Sequence, residues 1–251
     1  METKSMEKEW YKDWFSSEEY NFVYSHRNFD DAKQIIDLII STLGLKKTDY
    51  LLDAPCGTGR HLIYLISLGY NVVGFDLSFP FLIKAKKIVL DNGFTPLLFR
   101  GDIRNFCLKK KFDCILNLFT SFGYFFSDDE NFQFPINSLN LLNQGGYFVL
   151  DYINKEFLIN NLVPNSVKEY NGITVIEKRE IKDDRVIKTI NLIKGNESKT
   201  YYESVKLYSK DIILERFMRI GYSLAYIFGD YKGNKFNEKD SERLIMIFRK
   251  C

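Results

Sequence analysis

Alternating strand and helix signals through the first 150 residues predict an α/β fold with a doubly wound, mostly parallel, seven-stranded sheet. Three observations carry this. Short apolar runs recur between amphipathic segments; a glycine turn, Gly57-Thr58-Gly59, joins the first run to a helix; and past residue 165 the alternation gives way to consecutive strand signals.

In order, Ser16 or Ser17 is placed to cap a short helix running into Tyr20 and Tyr24. Ile35, Ile36, Ile39, Ile40 and Leu43 fall at helical spacing within Asp30–Leu43, and Gly44 ends that helix. Tyr50–Leu52 is a buried strand ending at Asp53, Arg60–Ser67 a helix, Asn71–Phe75 a strand and Phe79–Leu90 a helix. Thr95–Arg100 and Phe112–Leu118 are strands, Asp128–Leu142 is a helix interrupted near Pro135, and Tyr147–Asp151 is the fifth strand. Ile173–Ile181, Val186–Ile193 and Tyr201–Tyr208 then read as three antiparallel strands, with turns at Asp183-Asp184 and Gly195-Asn196. On them, Glu177, Arg179, Lys188 and Glu203 are expected on an exposed face, and Val175, Ile190 and Val205 against the core. A helix, Lys210–Ile220, lies between Ser209 and Gly221, and strands at Tyr222–Phe228 and Leu244–Arg249 follow, the second closing the sheet antiparallel. The chain is expected to divide into an N-terminal helical segment (1–29), either a lid over the ligand or an amphipathic helix docked on the core, a ligand-binding domain (30–164 and 209–251) and an antiparallel β insert (165–208).

Composition narrows the class. Lys and Arg number 35 against 33 Asp and Glu, so no basic stripe speaks for nucleic acid. The four cysteines form no CxxC pair and there are two histidines, so no metal site is expected. No signal peptide or membrane-length apolar run is visible, and a cytoplasmic protein is expected. The 22 Phe and 16 Tyr either line a pocket as well as the core or reflect nucleotide bias.

The chemistry concentrates at strand ends. In Leu51-Leu52-Asp53-Ala54-Pro55-Cys56-Gly57-Thr58-Gly59-Arg60-His61 a strand ends in a carboxylate, and a two-glycine turn leads to a helix N-terminus. A dinucleotide site would show a third glycine where Leu62 stands, and its pyrophosphate would be repelled by Asp53; a cationic ligand would be attracted. Asp76, in Gly74-Phe75-Asp76-Leu77-Ser78, is placed to accept two ribose hydroxyls, although capping the next helix is an alternative that Ser78 serves better. Gly101-Asp102-Ile103-Arg104 closes the third strand, and the fourth delivers Asn117 to the crevice.

These runs, in register, resemble the motifs of class I S-adenosylmethionine-dependent methyltransferases, firmly over residues 30–151 and loosely beyond. Thr120-Ser121-Phe122-Gly123-Tyr124 is similar in style to small-molecule N-methyltransferases; the Asn-Pro-Pro-Tyr of nucleic-acid amino methyltransferases is absent. The resemblance implies a Rossmann-like fold, S-adenosylmethionine as cofactor, and cofactor contacts from Asp53, Ala54, Gly57, Gly59, Arg60, Asp76, Leu77, Asp102, Ile103 and Asn117. In this pattern Asp102 receives the adenine amino group and Ile103 packs on the ring. Candidate catalytic groups are His26 and Tyr124. The expected acceptor is a small molecule methylated at nitrogen or oxygen, with a homodimer conceivable; a protein N-terminus, RNA, or a non-catalytic cofactor-binding module are the alternatives.

Overall fold

The computed structural model describes residues 9–24 and 29–251. Two short helices open it, α1 (Trp10–Trp14) and α2 (Glu19–Val23), followed by α3 (Phe29–Leu43). The core then runs β1 (Tyr50–Asp53), α4 (Arg60–Ser67), β2 (Asn71–Asp76), α5 (Phe79–Asp91), β3 (Leu97–Arg100), β4 (Phe112–Asn117), α6 (Asp128–Leu141) and β5 (Leu142–Ile153). After α7 (Lys155–Asn160) come four insert strands, β6 (Asn165–Tyr170), β7 (Ile173–Lys182), β8 (Arg185–Lys194) and β9 (Glu197–Lys206). The chain closes with α8 (Lys210–Ile220), β10 (Tyr222–Phe228) and β11 (Arg243–Lys250).

The main sheet has the order β10-β11-β5-β4-β1-β2-β3. Strands β1 to β5 pair in parallel, with β3 at one edge, while β11 runs antiparallel to both β5 and β10. Alternate residues of each strand supply opposite faces. Leu51, Leu116, Val149 and Ile247 pack against Ile35 and Ile39 of α3 and Leu62 and Leu65 of α4. Leu52, Ile115, Phe148 and Met246 pack against Phe132 and Phe134 of α6 and Phe217 of α8. Both faces are covered, so the strands read as near-continuous apolar runs. Strand order reverses at β1, and the crevice above the carboxyl ends of β1 and β4 is where such sheets take ligands.

The helix caps follow the sequence. Ser78 Oγ accepts from Phe81 N–H at the start of α5, and Ser209 Oγ accepts from Ile212 N–H at the start of α8. Ser17 Oγ accepts from Tyr20 N–H, but α1, a turn of Trp and Tyr too short to show a period, was not expected. Nor does Pro135 interrupt α6, which is continuous from Asp128 to Leu141. Pro135 is buried within the helix, and its carbonyl accepts from Tyr222 Oη at 3.0 Å.

The insert is a four-stranded antiparallel sheet, β6-β7-β8-β9, rather than three strands. The missed strand, Asn-Ser-Val-Lys-Glu-Tyr, is an edge strand with little apolar content and little burial, so it carries no alternation signal. Asp183 and Asp184 both adopt positive φ, 51° and 55°, as the two-residue hairpin between β7 and β8 requires. The expected exposed face is also reversed. Glu177 and Arg179 share the parity of Val175, and Lys188 that of Ile190, so all point inward with the apolar residues. Glu177 is buried and Lys188 nearly so.

Candidate functional site: a cofactor crevice continuous with a second chamber

A single cavity of about 900 Å³ extends from the β1 turn to the inner face of the insert. Its floor is the glycine turn. Gly57 adopts φ 55° and a Cβ there would meet nothing within 4 Å, so its open side faces the cavity. Gly59 adopts φ 85°, but a Cβ there would lie 2.9 Å from Ala85 Cβ of α5. The two glycines therefore serve different ends: the first leaves room for a ligand, the second lets α4 pack on α5.

Asp53 lies fully buried beneath this turn; the Leu62 N–H is directed at its carboxylate, but neither oxygen has a hydrogen bond of normal geometry. Burial, reinforced by the charge of Asp76, pushes its pKa up to about 8. Asn117 Oδ1 is likewise buried without a partner, while its Nδ2 donates to Ala54 O at 2.9 Å. Buried acceptors lacking donors, next to a cavity, fit a cationic ligand.

Asp76 ends β2. One oxygen accepts Gly57 N–H and the other Ser78 N–H, both at 2.8 Å, leaving one acceptor position on each. Burial raises its pKa to about 6 despite those two bonds. That geometry, with Ser78 capping α5, suits a pair of vicinal hydroxyls. Asp102 is engaged by Arg104, which donates to both of its oxygens, and its pKa lies below the usual carboxylate range: burial pushes up, and the Arg104 hydrogen bonds pull down further. It retains acceptor capacity toward the cavity, where Ile103 stands beside it.

Of the residues expected at the cofactor, Gly57, Arg60, Asp76, Leu77, Asp102 and Ile103 line the cavity; Asp53, Ala54, Gly59 and Asn117 lie beneath it. Arg60 sits over the Phe119 ring at 4.8 Å. Tyr124 lines the cavity, its ring 5.0 Å from that of Trp10 and 5.7 Å from that of Phe15. His26 lies outside the described residues. His61 also lines the cavity; burial, then the Arg60 charge, lowers its pKa to about 3, so it is a neutral imidazole.

Sequence reasoning missed the clamp that shapes the rest. Buried Arg185 of β8 donates to the carbonyls of Gly123, Tyr124, Phe125 and Ser204 and to Ser204 Oγ, fastening the Tyr124 loop to the insert. Phe119 and Thr120 both adopt φ near 60°, an unusual conformation for side-chain-bearing residues. It is held by fully buried Asp151, which accepts from Phe119 N–H, Tyr231 Oη and Arg243. Arg243 also donates to Thr120 Oγ1 and reaches the cavity wall. The second chamber is finished by Trp10, Phe15, Tyr20 and Tyr24 from the N-terminal helices and by Arg179, Lys188 and Glu203 from the insert. The parity with Val175 and Ile190 was the available signal for those charges.

Residues 51–146 match a methyltransferase domain family. Over 114 residues the chain is 33% identical to a dTDP-3-amino-3,4,6-trideoxy-alpha-D-glucopyranose N,N-dimethyltransferase of Streptomyces venezuelae, covering 44% of this chain and 46% of that one. Over 109 residues it is 31% identical to a dTDP-3-amino-3,6-dideoxy-alpha-D-glucopyranose N,N-dimethyltransferase of Streptomyces fradiae, covering 43% and 41%. The matched segment thus spans under half the length of either curated relative. In fold, the chain superposes with a TM-score of 0.80 on a S-adenosylmethionine-dependent methyltransferase from Clostridium acetobutylicum ATCC 824, at 20% identity over 92% of this chain and 96% of that one.

Residues 51–146 thus match a methyltransferase domain, and the sheet order around them is the fold shared with S-adenosylmethionine-dependent methyltransferases of known structure. S-adenosylmethionine is the cofactor of that family, and the partnerless acceptors under the glycine turn suit its positive charge.

Proposed function

We propose that this chain transfers a methyl group from S-adenosylmethionine to an amino nitrogen of a small polar acceptor, an amino sugar or a chemically similar amine. The observation that carries this reading is the continuity of one cavity: the Gly57–Asp76–Asp102 crevice opens into a chamber walled by aromatic and charged side chains. The names of both curated relatives, N,N-dimethyltransferases of amino sugars, support nitrogen as the target.

When bound, the cofactor supplies an electrophilic methyl group on a sulfonium, which a neutral amine takes by in-line displacement. The chain's own part is orientation and exclusion of water. Asp76 would hold the ribose hydroxyls, Asp102 and Ile103 the adenine, and Asp53 and Asn117 would set a negative potential beneath the amino-acid end. Tyr124, fixed by Arg185, would press on the reacting centre from the chamber side. The acceptor nitrogen must arrive unprotonated, and the proton it sheds after methylation leaves to water.

Incubating the protein with methyl-labelled S-adenosylmethionine and separate acceptor panels tests this. Label should pass to dTDP-3-amino-3,6-dideoxy-glucose or another small amine, and not to RNA or to peptides with free N-termini. Label confined to RNA or peptide would overturn the reading, and cofactor binding with no transfer to any amine would make the chain a binding module.

A further inference from the structure

The cofactor half of the cavity accounts for where the methyl group is presented, not for what holds the acceptor nitrogen. The inner face of β7–β9 carries four charged side chains, and each of their four carboxylate oxygens can be followed to its donors. Lys188 Nζ donates to Glu177 Oε1 at 2.5 Å and to Tyr24 Oη at 2.8 Å. Glu177 Oε2 accepts from Ser166 Oγ at 2.8 Å and from Arg179. Arg179 Nη1 donates in addition to Ser166 Oγ at 3.2 Å and Val163 O at 3.3 Å. Glu203 Oε1 accepts two bonds from the N-terminal helices, Trp14 Nε1–H at 2.6 Å and Tyr24 Oη–H at 2.5 Å.

That leaves Glu203 Oε2. Among the described residues its one recorded partner is the Lys188 ammonium at 3.9 Å, beyond hydrogen-bond length. A carboxylate oxygen has room for two donors. Glu203 lines the cavity whereas Glu177 does not, and its side chain is only 19% exposed. The carboxylate is thus immobilised through one oxygen and turns the other, unsatisfied, toward the chamber. The wall carries two acids and two bases, so it has no net charge with which to attract an anion. Among its carboxylate oxygens, Glu203 Oε2 is the one without a hydrogen-bonded donor.

Resting on the methyl-transfer reading above, we infer that Glu203 is the residue that selects an amine: its Oε2 accepts a hydrogen bond from the acceptor's amino group and fixes that nitrogen in the chamber. An acceptor without a donor at that point leaves a mostly buried carboxylate oxygen unpaired, so it is rejected by the cost of that desolvation rather than by shape. Lys188 is held between Glu177 and Glu203, at 2.5 Å from the first and 3.9 Å from the second.

Glu203→Gln separates this role from a structural one. Trp14 Nε1–H can only donate, so it pins the amide oxygen at the Oε1 position, and the amide NH₂ falls where Oε2 stood. The clasp to the N-terminal helices survives while the acceptor is turned into a donor. The probe is dTDP-3-amino-3,6-dideoxy-glucose, titrated calorimetrically into the complex with S-adenosylhomocysteine, with KM and kcat measured in parallel. Relative to the unmodified protein, Glu203→Gln should weaken probe binding and raise KM by about tenfold to a hundredfold, the loss of one charge-assisted hydrogen bond. S-adenosylhomocysteine affinity should stay within about threefold. Glu203→Asp, which keeps the charge on a shorter stem, should recover part of the loss and serves if the glutamine variant fails to fold. Probe affinity within about threefold of the unmodified protein in a folded variant overturns the inference while leaving methyl transfer standing. An equal loss of S-adenosylhomocysteine affinity also overturns it, by showing that Glu203 merely holds the N-terminal helices. If the unmodified protein neither binds nor methylates this probe or any other small amine, the underlying reading fails and the inference with it.

Discussion

The two ends of the cavity are built by different means. The cofactor end is made mostly of main chain: a strand terminus, a turn with two positive-φ glycines, a helix N-terminus and carboxylates at the ends of successive parallel strands. The acceptor end is made of side chains reaching in from three sequence-distant segments, the N-terminal helices, the Tyr124 loop and the insert. Backbone-built sites depend on residue types with special conformations, so the sequence marks them; side-chain-built sites depend on which way each residue faces. This difference also sets how each end should respond to damage.

The largest effects are expected in the glycine turn, and the two glycines should fail differently. Gly59→Val places a branched side chain at φ 85° against Ala85, where a Cβ already lies 2.9 Å from its neighbour. The positive φ and the forced separation of α4 from α5 should together cost about 2–5 kcal/mol and lower the melting temperature markedly. Gly57→Val meets no protein atom, so stability should fall by only about 1–2 kcal/mol from its φ, yet S-adenosylhomocysteine binding should be abolished because the side chain fills the crevice. Thermal melts paired with calorimetry decide it. Equal melting temperatures for the two variants would break the distinction between a packing glycine and a ligand-facing one.

That contrast explains what the sequence disclosed. Asp53, Gly57, Asp76 and Asp102 stood out as candidates because each sits at a strand end or in the turn just after one, in a fixed relation to the next element. The doubly wound sheet was readable because both its faces are buried. Glu177, Arg179, Lys188 and Glu203 were misread because charge was taken as a sign of exposure, although their parity with Val175, Ile190 and Val205 put them inside. Buried charges satisfied by one another leave no compositional trace. Strand β6 and helix α1 were missed for a plainer reason: each is too short and too weakly patterned to stand out.

A middle-sized effect should come from Asp76 and Asp53 together. Both have pKa values raised by burial, to about 6 and about 8, so in the free protein at neutral pH Asp53 is largely protonated and Asp76 largely ionised. A ligand offering hydroxyl donors to one and positive charge above the other favours the ionised forms. Binding should therefore release protons and strengthen as pH rises from about 5.5 to 8.5. Titrations in two buffers of different ionisation enthalpy measure the release directly. Asp76→Ala should weaken S-adenosylhomocysteine by about tenfold to a hundredfold and flatten the lower part of the pH curve. Affinity that stays level across that range in the unmodified protein would show that neither carboxylate senses the ligand.

The smallest effect belongs to the acceptor end, and it should appear in stability and not in cofactor binding. Burial opposes ionisation of Glu177, but the Lys188 hydrogen bond and charge, with Ser166 and Arg179, outweigh it and hold the pKa at about 2. An unfolded chain would titrate the same group near 4.5, the ordinary value for glutamate. A folded-state pKa below the unfolded one contributes stability that is complete above the unfolded value and is lost as pH falls through the folded one. Glu177 should thus make the protein progressively easier to unfold between about pH 4.5 and pH 2. The share assignable to this one carboxylate is about 1–2 kcal/mol, since it is part of a network and its partners reach solvent at the chamber. Glu177→Gln should lose that stability at neutral pH and show a shallower decline in acid, while S-adenosylhomocysteine affinity at pH 7 remains unchanged. Urea unfolding at a series of pH values reads the slope. If the variant keeps the full acid slope, the stability change arises elsewhere; if it loses cofactor affinity as well, the two ends are mechanically coupled, and the division between a backbone-built and a side-chain-built half no longer describes how the cavity works.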